Sequence, residues 1–224
     1  MNKQRQREQA ERFRALHRPG KPLVLANAWD AASARLFAQA GHPAIGTTSA
    51  GVAWTLGFPD GERISVGNLC DSVARMIAVL DASDTPLTVD VESGFGSTTA
   101  EVCDVVRQLI KLGAVGINIE DGTDPEVLCG KITAVRKLAA SADVPLFINA
   151  RTNVYLRGYV APPEQLDESV RRLKRYVEVG ADGVFVPGIV KLGEIERLAA
   201  QVKVPVNVYA FRGVPSVPEL AEAG

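Results

Sequence analysis

Two kinds of junction alternate along this chain, and they constrain its fold more than any other feature. One kind reads Ala40-Gly41-His42-Pro43-Ala44, Leu112-Gly113-Ala114-Val115-Gly116 and Val179-Gly180-Ala181-Asp182-Gly183. The other reads Thr85-Pro86-Leu87, Val144-Pro145-Leu146 and Val204-Pro205-Val206. The first ends a helix on glycine. The second opens a strand on proline. The strands they introduce, together with a first one at 23–28, fall at 44–49, 87–92, 116–121, 146–152, 183–187 and 204–210, and are rich in Val, Ile and Leu, as buried parallel strands are.

Helical patterns fill the gaps near 31–40, 65–80, 98–112, 126–140, 164–179 and 191–201, after an N-terminal helix at about 4–16. Asp30 and Ser65 supply N-cap chemistry, and Pro125 and Pro163 suit first turns. An alternation with a period of two strands suits a (β/α)8 TIM-type barrel, whose interior layers come from odd and even strands in turn. A doubly wound open sheet gives no reason for it, and no G-x-G-x-x-G follows the first strand. The expectation is therefore an α/β fold with one barrel domain over 1–224. Only seven strands are visible, and Leu220-Ala221-Glu222-Ala223-Gly224 resembles the junction before an eighth. The eighth strand and helix are expected to be missing from this chain. A longer native chain is favoured over closure by a partner, because an open edge invites aggregation.

Composition excludes several function classes. A net charge of −1 argues against a nucleic-acid or membrane partner. No apolar run approaches the roughly 20 residues of a membrane span, and the polar segment 2–14 does not read as a leader. Cys70, Cys103 and Cys129 lack metal-type spacing and read as reduced thiols, which points to the cytoplasm. Neither His17 nor His42 falls at a strand end, so a Ser-His-Asp triad, a Cys–His pair or a His-rich zinc site is not expected.

Active sites of such barrels form at the C-terminal strand ends. Those ends carry Asn27, Trp29 and Asp30; the hydroxyl-rich turn Thr47-Thr48-Ser49-Ala50-Gly51; Asp90 and Glu92; Asn118, Glu120 and Asp121; Asn149, Arg151 and Asn153; and Asn207 and Tyr209. The loop Gly57-Phe58-Pro59-Asp60-Gly61 adds a further carboxylate. Asp90 and Glu92 are spaced i, i+2, so both point to one face of an extended strand. Paired carboxylates of this kind suit a hard cation such as Mg²⁺. Solvated carboxylates making caps or turns are the bland alternative. Arg151 and the Ser49 turn suit an organic carboxylate or oxyanion. Trp29 reads as a wall, Asp30 mainly as a helix cap, and Asp121 as a cap for the following loop. A small oxygenated acid chelated to Mg²⁺ is the natural guest, and a metal on a keto oxygen favours C–C cleavage beside a carbonyl.

In order and spacing, Thr48-Ser49-Ala50-Gly51, Gly57-Phe58-Pro59-Asp60, Asp90-Val91-Glu92-Ser93-Gly94-Phe95-Gly96, Ile119-Glu120-Asp121 and Asn149-Ala150-Arg151-Thr152 resemble the isocitrate lyase/phosphoenolpyruvate mutase superfamily, including its carboxyphosphonoenolpyruvate phosphonomutase-type proteins. The resemblance implies Mg²⁺, with Mn²⁺ as the substitute, held largely through water near Asp90, with Asp60, Glu92 and Glu120 in support. It implies a substrate carboxylate or phosphonate meeting Ser49, Ala50, Gly51 and Arg151, and a homo-oligomer, dimeric or tetrameric, that exchanges its eighth helix. On that basis Asp60, Glu120 and Arg151 are the candidate catalytic residues. Asp90, Glu92 and Glu120 are the candidate metal ligands. Trp29, Thr48, Ser49, Ala50, Gly51, Arg151 and Asn207 are candidates for substrate binding.

The departures narrow the reaction. Lyases of the superfamily carry a basic pair, Cys, Gly and His after the fourth strand. Here the stretch is Gly122-Thr123-Asp124-Pro125-Glu126-Val127-Leu128-Cys129-Gly130-Lys131, and the spacing of Leu128, Ile132 and Val135 puts Cys129 in a helix. Pro187 stands where lyases and mutases have Glu or His, Glu92 stands where the family has a second Asp, and the mutase-type Lys-x-Asn loop is not visible. The leading expectation is a decarboxylase or hydrolase of an oxaloacetate-like α-keto acid, acting through a metal-stabilised enolate. A methylisocitrate- or dimethylmalate-type lyase, or a phosphonomutase, is the second reading. A barrel that binds a dicarboxylate without turning it over is the third.

Overall fold

The computed structural model describes residues 2–224. Strands β1 (Ala26–Ala28), β2 (Ile45–Thr47), β3 (Leu87–Asp90), β4 (Gly116–Glu120), β5 (Phe147–Arg151), β6 (Gly183–Phe185) and β7 (Val206–Asn207) form one sheet in strict chain order. The register-paired neighbours are parallel. Helices α1 (Lys3–Ala15), α2 (Ala31–Gln39), α3 (Ser49–Thr55), α4 (Val66–Leu80), α5 (Thr99–Leu112), α6 (Pro125–Ser141), α7 (Val154–Arg157), α8 (Gln165–Glu178), α9 (Leu192–Val202) and α10 (Val217–Ala223) complete the order. This is the α/β topology of a TIM-type barrel that lacks its eighth unit.

The strands are shorter than the apolar runs suggested, but each lies inside its expected span, and the helices of the main repeat agree within about two residues. The segment after β2 differs. Ser49–Thr55 is a short helix capped by Thr48, not an open turn. The two junction types have distinct backbones. Gly41, Gly113 and Gly180 sit at φ of 92°, 116° and 115°. At the proline-type junctions the left-handed residue is Asp84, Asp143 or Lys203, at φ of 52°, 57° and 56°, each two positions before the proline. A side chain in this region carries a steric cost that glycine avoids. The following proline restricts its predecessor to extended backbone and so starts the strand cleanly.

Contacts divide the chain into two compact units, and the division passes within β4 and β5. The first holds Met1–Ala15, Val24–Ile119 and Ala134–Phe147. Its core is built from Ile45, Leu87, Val89 and Ile117 of the strands, with Leu69, Val73, Met76 and Leu80 of α4 and Val102, Val106 and Leu109 of α5. Those helix positions recur every three or four residues, the stripe a core-facing helix presents. Helix α1 joins this unit through Phe13, edge-on to Phe147 at 5.4 Å. Gln6 Nε2 donates to the Ile110 and Ala114 carbonyls at 2.7 and 2.9 Å. Arg5 and Arg12 both reach Asp84.

The second unit holds Leu16–Leu23, Glu120–Thr133 and Ile148–Gly224. Its core takes Ile148, Ala150 and Val184 from the strands, Leu173 and Tyr176 from α8, and Leu198 from α9. Helix α10 packs on α9. Among the described residues no helix is long and apolar enough to cross a membrane.

Candidate active site

In the first unit, Asp90 closes β3 opposite Asn118 of β4. The Asp90 N–H donates to Thr47 Oγ1 at 2.9 Å, and Asn27 Nδ2 donates to the Thr47 carbonyl at 3.0 Å. Asp90 Oδ1 accepts from the Glu92 N–H at 3.1 Å and from Asn118 Nδ2 at 3.2 Å. Both bonds go to one oxygen, which orients the carboxylate.

Glu92 turns at φ 49° and is buried, 8% exposed. Burial, with the like charges of Asp60, Asp90 and Glu62 added, pushes its carboxyl up to about 7, although the Glu62 N–H opposes this by donating to it. Glu62 was missed in the sequence. Its N–H meets Glu92 Oε2 at 2.8 Å, and its Oε1 accepts from Ser93 Oγ at 2.7 Å and the Phe95 N–H at 2.8 Å. The loop that carries Asp60 is thereby fastened to the loop after β3. The available signal was a third acid just beyond Gly61, in a segment whose glycines at φ 79° and 102° allow a sharp turn.

The donor set fits a hard cation. Mutually repelling carboxylates, one of them driven toward its protonated form, are relieved by positive charge. Among the described residues no three His, Cys, Asp or Glu side chains form a ready cage. Mg²⁺ asks for one or two carboxylates and keeps several waters.

Gly51, expected to offer its N–H to a ligand, donates it to Thr48 Oγ1 at 3.3 Å. Its lack of a side chain matters more. A Cβ there would sit 2.7 Å from both Thr48 Cγ2 and Trp29 Cβ. Ser49 and Ala50 precede it in the first turn of α3, where helical N–H groups lack intrahelical partners. Trp29 is 41% exposed and edge-on to Phe37 at 6.1 Å. Asp30 caps α2 with Ser33.

In the second unit, Arg151 ends β5 on one rung with Phe185 of β6, which in turn pairs with Asn207 of β7. Arg151 Nη1 meets Glu120 Oε2 at 3.0 Å, with both side chains less than one-fifth exposed. Its Nε donates to Asn153 Oδ1 at 2.9 Å, and its guanidinium lies 5.5 Å from the centre of the Phe185 ring. Glu120, expected among the metal ligands, is thus engaged with Arg151.

Asp121 is buried and accepts from Thr152 Oγ1 at 2.7 Å, the Asn153 N–H at 2.8 Å, Arg172 Nη1 at 3.0 Å and Tyr176 Oη at 2.7 Å. It caps the loop after β5, not the loop after β4 that was expected of it, because its carboxylate points to Thr152 and the Asn153 N–H. Cys129 lies in α6, 4% exposed, its thiol pushed up by burial and by Glu126.

Residues 13–224 match the phosphoenolpyruvate phosphomutase family. The chain is 32% identical over 226 residues to 2-methylisocitrate lyase of Escherichia coli, covering 90% of this chain and 73% of the enzyme. It is 32% identical over 192 residues to oxaloacetate decarboxylase of Paraburkholderia xenovorans, covering 82% of this chain and 62% of that one. A crystal structure of a phosphonomutase-like protein from Burkholderia cenocepacia superposes with a TM-score of 0.91 at 37% identity, covering 98% of this chain and 89% of its own. The chain belongs to the phosphoenolpyruvate mutase/isocitrate lyase superfamily.

Proposed function

We propose that this chain is a Mg²⁺-dependent enzyme that cleaves a C–C bond beside an α-keto acid, as a decarboxylase or hydrolase of an oxaloacetate-like substrate. The observation that carries this reading is the state of Cys129. Lyase chemistry asks for a proton donor from 122–131, and Cys129 is the candidate there. It is a buried residue of α6 with a raised thiol, a setting that keeps a cysteine inert. Loss of CO₂ from a β-keto acid needs no such donor in the bond-breaking step, because CO₂ leaves without a proton and the enolate left behind takes its proton from water.

The roles follow from the chemistry of each group. Asp90 would hold the cation, with Glu92 beside it, and Mg²⁺ bound there would polarise the keto oxygen and lower the cost of negative charge developing on it. Arg151, oriented by Glu120 and Asn153, offers its guanidinium to the substrate carboxylate. Ser49 and Ala50 offer backbone N–H groups, Trp29 and Asn207 are the further candidates for substrate contact, and Asp60 and Glu120 support the reacting groups with their carboxylates. A homo-oligomer, dimeric or tetrameric, in the cytoplasm belongs to the same reading.

The second reading is a methylisocitrate-type lyase, favoured by the similarity to the Escherichia coli enzyme. Turnover of oxaloacetate with Mg²⁺ and with EDTA, beside Asp90→Ala, tests the first. Metal-dependent pyruvate, lost in the variant, supports decarboxylation. Oxalate plus acetate means hydrolysis. Cleavage of 2-methylisocitrate that disappears in Cys129→Ala would replace both with the lyase.

A further inference from the structure

We propose that Asn153 is a positioning residue for Arg151, itself held by Asp121 and, behind that, by Arg172 and Tyr176 of α8. This rests on the reading that Arg151 receives the substrate carboxylate. Asn153 is 1% exposed and all of its polar groups named here are engaged. Its N–H donates to Asp121 Oδ1 at 2.8 Å, its Nδ2 donates to the Asp121 carbonyl at 3.2 Å, and its Oδ1 accepts from Arg151 Nε at 2.9 Å. Two bonds run back to one residue and the third goes forward to the guanidinium. The Asn153 side chain therefore has one orientation, and the amide oxygen faces Arg151 by necessity.

The anchor is rigid in turn. Arg172 is 4% exposed and its guanidinium is spent on Glu168 at 2.6 Å, Asp121 at 3.0 Å, and the Gly122 and Thr123 carbonyls, each at 2.9 Å. The Tyr159 ring covers it at 5.1 Å. Tyr176, fully buried, adds its hydroxyl to Asp121. Recognition of a carboxylate by arginine depends on the plane of the guanidinium. The Glu120 contact at Nη1 fixes one corner and leaves rotation about that contact. The Asn153 contact at Nε fixes a second corner, and the Phe185 ring, its centre 5.5 Å from the guanidinium carbon, limits the remaining turn about the line between them. The cluster around Asp121 thus has a consequence beyond holding a loop, because its last member aims the residue that meets the ligand.

The test uses the full chain, with oxalate plus Mg²⁺ as the probe, calorimetry for Kd, and steady-state kinetics on oxaloacetate. Asn153→Ala is expected to raise the oxalate Kd and the KM about tenfold, the loss of one charge-assisted bond, while kcat stays within about threefold. Unchanged Kd and KM with a lowered Tm would make Asn153 purely structural and overturn the proposal. Should alanine not fold, Asn153→Ser serves, with exchange of the Arg151 Nε–H followed by ¹⁵N NMR. Protection in the parent chain that is lost in the variant is expected, and equal exchange overturns the proposal. Arg151→Ala separates the two readings. If it binds oxalate as the parent does, the assignment of Arg151 falls and this proposal with it. If it loses oxalate while Asn153→Ala keeps it, the positioning role alone falls.

Discussion

The N–H of Glu62 donates to Glu92 Oε2 at 2.8 Å, and the Glu62 carboxylate returns the contact by accepting from Ser93 Oγ and the Phe95 N–H. Glu62, Glu92 and Phe95 all turn at positive φ, 56°, 49° and 54°. Residues other than glycine hold that conformation only when surrounding bonds outweigh its steric cost. Glu62→Ala removes the acceptor for two donors and is expected to lower stability by about 2 kcal/mol. Glu62→Gln keeps an oxygen at that point and should cost clearly less. Urea denaturation of the two variants checks the order, and equal losses would show that the carboxylate does not secure the loop.

Acid sensitivity should have a source at the N-terminal helix. Arg12, then Gln9 and Arg5, hold the Asp84 carboxyl down at about 2. An unfolded aspartate titrates near ~3.9, so the unfolded chain takes up this proton first as the pH falls. The contribution is complete above about pH 4 and is lost as the pH drops through about 2. The pair is partly exposed, so salt should weaken it. Asp84→Asn is expected to flatten the low-pH limb of a Tm-against-pH curve. A limb of unchanged steepness would move the acid response elsewhere.

Cys129 should be chemically silent in the native protein. Cys70 and Cys103 are half-buried, whereas Cys129 is 4% exposed with a raised thiol. A thiol reagent should modify it only as fast as the chain opens. Cys129→Ala should keep oxaloacetate turnover within about threefold, since it removes no group in contact with the reaction. Rapid native labelling of Cys129 would contradict its packing.

Gly51→Ala should disturb the contact between α3 and Trp29. The added carbon would meet Thr48 Cγ2 and Trp29 Cβ at 2.7 Å, closer than such contacts allow, and overpacking of this kind costs about 1–3 kcal/mol. A lower Tm and altered tryptophan emission are expected. Unchanged values would mean that α3 shifts freely.

The order of elements was legible because it depends on local chemistry. Glycine and proline punctuate the repeat, and Asp30 and Ser65 cap their helices with bonds to residues three positions on. Cys129 was legible for the same reason, through its helical spacing, whereas Asp121 was legible as a cap but not in its target, since the residues it holds follow β5, 31 positions on. Strand lengths were overestimated because apolar residues continue past the last ladder bond. Helix α3 was hidden because Ser, Ala and Gly in succession read equally as a turn. Glu62 was hidden for a different reason: its partner Glu92 lies 30 positions away, and such pairing leaves no periodic trace. The Asn153 contacts with Asp121 likewise span 32 positions.

Each strand of this sheet lies beside the strand that follows it in the chain. Alignment is therefore negotiated one neighbour at a time. A loop between two strands can lengthen, shorten or change its residues without forcing distant strands to realign. Chemistry placed at strand ends can then be revised piecemeal while the scaffold stays the same, which lets one topology host members with different reactions.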